Sequence, residues 1–465
     1  MHLPFQNTYA KLPEAFFEKT KPTPVASPSL IAVNDDLARE LGLDPAFLRS
    51  PEGLAILSGN TIPEGAEPLA MAYSGHQFGG FSPQLGDGRA ILLGEIAGKD
   101  IQLKGSGPTP FSRRGDGRSA LGPVIREYLV SEAMHALGIP TTRALAAVES
   151  GEFVQREAPE KGGVFTRVAS SHLRIGTAQF FAARQDLDSL HALVDYAKQR
   201  HYPDVQNALD LLRAVIAKQA QLIAHWMGLG FIHGVMNTDN MSLSGETIDY
   251  GPCAFMDRYD PAQKFSSIDQ QGRYAYQNQP FIAQWNLSRL AETLLPLIDH
   301  DQEKAVDLAK TELARFPAIF EAARLKIFSK KIGLPDNTDW ELIQALLDLM
   351  AEQKADFTLV FRSLSKTEEG FLTHFQNLDP VREWLARWQA AGTPDTALME
   401  TMNPAFIPRN HRVEEVIEAA KKGDFAPFHE FQKILQKPFQ EQPGFEHYQA
   451  TPAPDEVVCA TFCGT

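Results

Sequence analysis

The sequence predicts an α+β chain of two lobes, a β-rich first lobe holding one strong helix and a mainly helical second lobe. Three observations carry this expectation. Strand-like runs at Ala90–Glu95, Asp100–Lys104, Arg143–Glu149, Phe153–Arg156 and Val164–Ala169 fall close together. One helical repeat interrupts them, with apolar Leu121, Ile125, Leu129, Ala133 and Leu137 on one face. From about residue 176 the apolar residues fall at helical spacing almost throughout. Four regions follow: an extension over 1–70 packing on the core, the β-rich lobe over 71–175, the helical lobe over 176–330, and a helical extension with a Cys-containing tail over 331–465.

Residues 1–70 are Pro-rich and read as irregular, with a short helical pattern from Asn34 to Leu43. The Gly-rich runs Ser74–Gly80 and Leu85–Arg89 precede the first two strands, which the turn Ala97-Gly98-Lys99 joins. A loop of Gly, Ser and Arg from Gly105 to Arg118 leads to the helix, capped by Ser119 and closed by Gly138. Arg143–Glu149 and Phe153–Arg156 read as separate strands flanking Ser150-Gly151. In the helical region a long helix runs from Asp204 to Met227, with others near 284–299, 301–315, 337–352 and 379–391. Met402–His411 reads as a turn feeding a helix from about Val413, and the tail beyond about 440 as extended.

With 44 Lys and Arg against 58 Asp and Glu, the formal charge is −14, which excludes a nucleic-acid polyanion as the main partner. No apolar run approaches the roughly 18 residues of a membrane span, and the start lacks a basic-then-apolar leader. The cytoplasm and a monomer are the expectations. Only three cysteines occur, at 253, 459 and 463, too few for a disulfide framework. They read either as free thiols or as a redox-labile bridge tying the tail across the active-site cleft.

The run His233-Gly234-Val235-Met236-Asn237-Thr238-Asp239-Asn240, followed by Asp249-Tyr250-Gly251, resembles a protein-kinase catalytic loop and its metal motif. A kinase places the Asp that takes the substrate proton five residues before its metal-binding Asn; here that position is Val235, which accepts no proton. Asn240 and Asp249 remain as two oxygen ligands for magnesium on a nucleotide. Metal ligands without the usual base imply either lost catalysis or different chemistry on the same nucleotide. Asp239 is the substitute proton acceptor or a structural cap. His233 is expected to be scaffold.

Lys104 ends a strand and Glu127 lies on the following helix, the pairing by which kinases hold an ammonium against phosphates. Glycine-rich hairpin, lysine strand, helix and further strands is the order of a kinase small lobe. The predicted fold is therefore protein-kinase-like and bilobal, with the helix in the αC position. Gly86-Asp87-Gly88-Arg89 departs from that pattern, since a carboxylate at Asp87 would repel phosphates. It is an ordinary turn, or the phosphates lie elsewhere. Arg113, Arg114 and Arg118, with Arg167 and Arg174 on either side of Ser170-Ser171-His172, would converge with Lys104 on a terminal phosphate far from its kinase position.

Taken with Asn7-Thr8-Tyr9, Tyr73-Ser74-Gly75-His76-Gln77-Phe78-Gly79, Gln102-Leu103-Lys104-Gly105-Ser106-Gly107, Asp249-Tyr250-Gly251-Pro252 and Asn403-Pro404 through Asn410, these strings resemble the selenoprotein O family, pseudokinase-fold enzymes that transfer AMP from ATP to protein hydroxyls. The resemblance implies a reversed ATP. Lys104, Asp116, Gly117, Arg167 and Arg174 would hold its outer phosphates, and Gly86, Gly88 and Arg89 its other end. Asn240 and Asp249 would bind magnesium, Asp249 also meeting the nucleotide, while Glu127 orients Lys104 and Asp239 accepts the proton. Substrates would be Ser, Thr or Tyr hydroxyls of proteins, redox and metabolic proteins among them, and transfer of UMP with manganese is a further implied activity. It also implies that Cys463, standing where some members carry selenocysteine, pairs with Cys253, with Cys459 the alternative. A conventional kinase using Asp239 as a displaced base and a non-catalytic nucleotide-binding scaffold remain the alternatives.

Overall fold

The computed structural model describes residues 3–461. The strands in chain order are β1 (Phe17–Lys19), β2 (Ser29–Val33), β3 (Leu69–Met71), β4 (Gly75–Gln77), β5 (Gly80–Ser82), β6 (Ala90–Ile96), β7 (Lys99–Lys104), β8 (Ser119–Ala120), β9 (Arg143–Gln155), β10 (Pro159–Ala169), β11 (Phe231–Ile232) and β12 (Ala254–Phe255). Eight of them form one sheet in the order β1-β3-β6-β7-β10-β9-β2, with β8 on β10. Ile96 pairs with Lys99, so β6 and β7 close through Ala97 and Gly98, both at positive φ. That is the two-residue turn whose twist matches a β-hairpin.

Three sequence expectations are corrected by the sheet. Arg143–Gln155 is a single 13-residue strand rather than two, paired with β10 on both sides of Ser150-Gly151 across a register shift, while β2 pairs only before that point. Ser119 does not cap the helix: it pairs with Gly163 in β8, and the helix runs Leu121–Ala136 with no side-chain cap. Residues 1–70 are not irregular, because they supply β1 and β2 to the sheet. Nearer the start, the buried Glu95 carboxylate accepts the amides of Thr8 (3.1 Å) and Tyr9 (3.2 Å) and pairs with Arg200 at 2.8 Å. The first residues are thereby pinned to both β6 and the Leu187–His201 helix.

The helical region begins with Ile175–Ala182 and Leu187–His201 and continues through Ala208–Leu229, Gln279–Ile298, Gln302–Leu313, Phe316–Lys331, Trp340–Gln353, Phe357–Leu364 and Asp379–Ala390. Asn207 caps the Ala208–Leu229 helix by accepting the Asp210 amide, and Gly230 ends it in the left-handed conformation. The chain then enters β11, which pairs with β12, so a short hairpin brackets the loop from His233 to Cys253. His233 is scaffold, as expected: buried, stacked on Trp226, with Nε2 2.9 Å from the Ile248 carbonyl.

The last helices, Asn410–Lys421 and Ala426–Leu435, return to the β-rich part. Val413, Val416, Ile417, Phe428 and Phe431 pack on Leu121, Val124, Ile125 and Tyr128. The Leu121–Ala136 helix is consequently covered by sheet on one side and by these helices on another, which is why far more of it is buried than one stripe. Beyond it the tail reaches Thr461, whose amide donates to the Phe265 carbonyl and whose hydroxyl donates to the Pro252 carbonyl. Among the described residues no helix is long and apolar enough to cross a membrane.

One buried cation in the helical region has a thermodynamic consequence. Lys331 is 2% exposed, its ammonium 4.4 Å from the Phe361 ring centre, and burial pushes its pKa down to about 7. The folded value lies below the unfolded one, so between pH 7 and about 10 the unfolded chain binds more protons and stability rises with pH. Lys331→Met should stabilise the protein by about 2 kcal/mol at pH 7 and flatten that rise. Urea unfolding midpoints between pH 7 and 9 check both; a variant no more stable than the parent at pH 7 would contradict the assignment.

Candidate active site

β7 ends at Lys104 beside Arg167 of β10, and alternation along β7 puts Gln102 on the same face as Lys104. The Leu121–Ala136 helix packs across this face and delivers Glu127. The Lys104 ammonium is 2.5 Å from Glu127 Oε2 and 3.0 Å from Asp249 Oδ1. Arg167 Nη1 donates to Asp249 Oδ1 at 2.7 Å and lies 3.3 Å from Glu127 Oε1. Arg174 Nη1 donates to Asp249 Oδ2 at 2.8 Å and to the Asp239 carbonyl at 2.6 Å. Three cations from the β-rich side thus meet on one carboxylate of the loop between β11 and β12. Burial works against the Asp249 charge, yet Arg167, Lys104 and Arg174 hold its carboxyl well below the usual range. Asp249 itself adopts a left-handed backbone, φ +65°, a conformation that Asp tolerates better than most residues.

Lys104, Arg167, Arg174 and Asp249 line a cavity of about 690 Å³. Asp239, Asn240, Val235, Gly86, Gly88, Arg89, Asp116 and Gly117 also line it, so every sequence-derived nucleotide and metal candidate faces one space. Val235 is buried in its wall, and its carbonyl accepts the Asn240 side-chain amide at 3.0 Å. That leaves the Asn240 carbonyl oxygen and the Asp249 carboxylate as a pair of hard oxygen donors. Two protein oxygens suit magnesium, which fills its remaining positions with phosphate and water. Asp239 Oδ2 accepts the Gln77 amide at 3.1 Å, while the buried Oδ1 has no partner. Burial pushes the Asp239 carboxyl up to about 6.

Two readings of the surrounding loops change. Asp87 lines the cavity, but its buried carboxylate is engaged by the protein itself, accepting the Met71 amide at 3.2 Å and the Gln102 side chain at 3.0 Å. Gly86 beside it is needed for packing, since a Cβ there would fall 2.3 Å from the Phe111 ring. Arg118 does not converge with Lys104 either; its guanidinium donates to the carbonyls of Thr23 and Pro24. Asp116 sits at the cavity's exposed lip, tied to Arg156 at 2.9 Å. Cys253 is buried beneath the docked tail, Cys459 is exposed, and Cys463 lies outside the described residues.

Sequence reasoning missed two amides. Gln102 accepts both Arg167 Nε (3.1 Å) and Nη2 (2.7 Å) while donating to Asp87, fixing the guanidinium in place. Its signal was a polar residue on the same strand face as Lys104. The second is Gln77, on Asp239. It stands in the Gly-rich run Ser74–Gly80, where a neutral amide carries no charge signal.

The family described as protein adenylyltransferase SelO matches residues 1–436. A protein nucleotidyltransferase YdiU of Rhizobium etli is 58% identical over 486 aligned positions, covering 99% of this chain and 97% of that protein. Its counterpart in Bradyrhizobium diazoefficiens is 56% identical over 490 positions, covering 100% of both chains. Similarity of this extent, across the β-rich part, the cavity and the returning helices alike, makes the chain a member of the SelO family and an enzyme of nucleotidyl transfer.

Proposed function

We propose that this enzyme transfers AMP from ATP to Ser, Thr or Tyr hydroxyls of proteins, on a two-lobed kinase-like scaffold, with the triphosphate reversed. The observation that carries the reading is the junction of Lys104, Arg167 and Arg174 on Asp249, beside a carboxylate at Asp239 with one unpartnered oxygen. An outer phosphate end seated on the three cations, with Asp116 and Gly117 at its lip, puts the α-phosphorus over Asn240 and Asp249. Gly86, Gly88 and Arg89 then meet the nucleoside end. Magnesium or manganese, held by Asn240 and Asp249, would neutralise phosphate charge.

The protein's own groups account for the remaining chemistry. The Asp239 carboxylate takes the acceptor's proton as the acceptor oxygen bonds to the α-phosphorus. The bond from that phosphorus to the α–β bridging oxygen breaks, and pyrophosphate leaves with the electron pair. Lys104, Arg167 and Arg174 offset the charge on the departing group, while Glu127 and Gln102 keep two of those cations from moving. UTP fits the same scheme, because nothing in it depends on the base. A conventional kinase would instead need the γ-phosphorus at Asp239, away from the cation cluster.

Transfer of label to protein from α-labelled but not γ-labelled ATP is the expected result. Label arriving from the γ position would sink the reading. Asp249→Ala should abolish transfer, whereas Asp239→Ala should lower it by about a hundredfold or more and spare nucleotide binding measured by equilibrium titration.

The tail extends the proposal to a redox latch. Thr461 is hydrogen-bonded to Pro252 and Phe265, which brings the chain two residues before Cys463 onto the segment carrying Cys253. Mild oxidation should therefore link Cys253 to Cys463, read as a joined peptide by mass spectrometry without reduction. Thiols at 253 and 463 that stay unlinked after oxidant would rule the latch out.

A further inference from the structure

The Gly-rich run at 74–82 has no place in the scheme above, yet it touches the loop that carries Asp239 at three successive residues. β4 and β5 pair Gly75 with Ser82, His76 with Phe81 and Gln77 with Gly80, closing through Phe78 and Gly79 at positive φ. The hairpin lies with its first strand against Asn237–Asp239. The His76 amide donates to the Thr238 hydroxyl at 2.7 Å, the Gln77 side chain to Asp239 Oδ2 at 3.1 Å, and the Phe78 amide to Asn237 Oδ1 at 3.2 Å. Two further contacts brace the seam. Gln179 accepts the Thr238 hydroxyl and reaches His76 Nδ1, and the Tyr274 hydroxyl donates to Asn237 Oδ1.

This clamp treats the two Asp239 oxygens differently. Oδ2 is held by the Gln77 amide. Oδ1 lies over Gly75, where a Cβ would stand 2.3 Å from it, so the missing side chain is what leaves that oxygen its place. Oδ1 is buried and without a partner. A buried carboxylate oxygen left unpaired costs about 1–3 kcal/mol, a cost that persists where a ligand is to complete it. With Oδ2 tethered by Gln77 and Oδ1 packed against Gly75, rotation about the carboxylate bond is arrested.

We propose that Gln77 is a positioning residue for nucleotidyl transfer: it anchors Oδ2 while Oδ1 packs on Gly75, and so fixes the orientation in which Asp239 presents its carboxylate to the acceptor hydroxyl. The inference rests on the reading of Asp239 as proton acceptor. Gln77 lines the cavity but bonds to Asp239 rather than to Lys104, Arg167 or Arg174, so its loss should move the chemical step and leave nucleotide affinity alone.

The test compares the full-length parent, Gln77→Ala, Gln77→Glu and Asp239→Ala, with α-labelled ATP and an acceptor protein that the parent labels. Gln77→Ala should lower kcat by about 10- to 100-fold, the cost of a misaimed group, with KM for ATP within about twofold and an unchanged thermal midpoint. Gln77→Glu keeps the size but replaces the donor by a second carboxylate, so it should fold and lose at least as much. Parental kcat in Gln77→Glu overturns the inference. So does a loss in Gln77→Ala shared between kcat and KM with a lowered thermal midpoint, which marks a purely structural hairpin. If Asp239→Ala itself transfers at the parental rate, the proton-acceptor reading fails instead, and that outcome is distinguishable from the other two.

Discussion

The carboxylate of Asp249 is the point on which the structure turns. It is reached by Lys104 from β7, Arg167 from β10 and Arg174 from the start of the helical region, so one side chain fastens the sheet to the loop between β11 and β12. Around it three cations face two closely placed carboxylates, Asp249 and Glu127. Asp87 stands 3.9 Å from Arg174, and burial pushes its carboxyl up despite that cation. The excess of positive charge comes from the wider cavity wall, where Arg89, Arg113 and Arg114 join the three cations, and an opposite charge where water is scarce counts for several times its worth in bulk solvent. An anion entering the cavity supplies it. A chain whose net charge is −14 thus keeps one concentrated positive site, which favours a single polyphosphate over a long polyanion.

Rigidity at this point is bought from both ends of the chain. Glu95 ties Thr8 and Tyr9 to Arg200, bracing β6, the strand next to β7 in the sheet. On the opposite side Arg126, next to Glu127, donates to the Cys253 carbonyl and to Asn410, and pairs with Glu414. The helix that aims Glu127 at Lys104 is therefore bonded to the segment after Asp249 and to the returning Asn410–Lys421 helix. These bonds are far from the cavity in sequence but one residue from its chemistry. The two extensions act as braces on the cation cluster.

What the sequence made legible was charge and turn chemistry. Lys104, Glu127, Arg167, Arg174 and Asp249 were singled out because ionised groups at strand and helix ends carry few meanings, and they meet within hydrogen-bonding distance. Ala97-Gly98 announced its hairpin because few residue pairs accept two positive φ values. Illegible features depended on partners distant in the chain. Ser150-Gly151 looked like a break because nothing local shows β10 resuming its pairing with β9 beyond a register shift at that point. Ser119 has the chemistry of a cap, but pairing with Gly163 claims it first. Gln102 and Gln77 were overlooked since a neutral amide leaves no mark in a charge pattern, although each fixes a charged group.

Val235 clarifies why the loop needs such help. With an aliphatic residue there, the position contributes only its carbonyl, which orients Asn240. The loop's other carboxylate, Asp239, stands beside Asn240 and close to Arg174, whose guanidinium holds the Asp239 carbonyl and pulls on its charge, while burial pulls the other way. A neutral donor, which adds no charge of its own, holds Oδ2 without disturbing the cation cluster, and the Gln77 amide is such a donor.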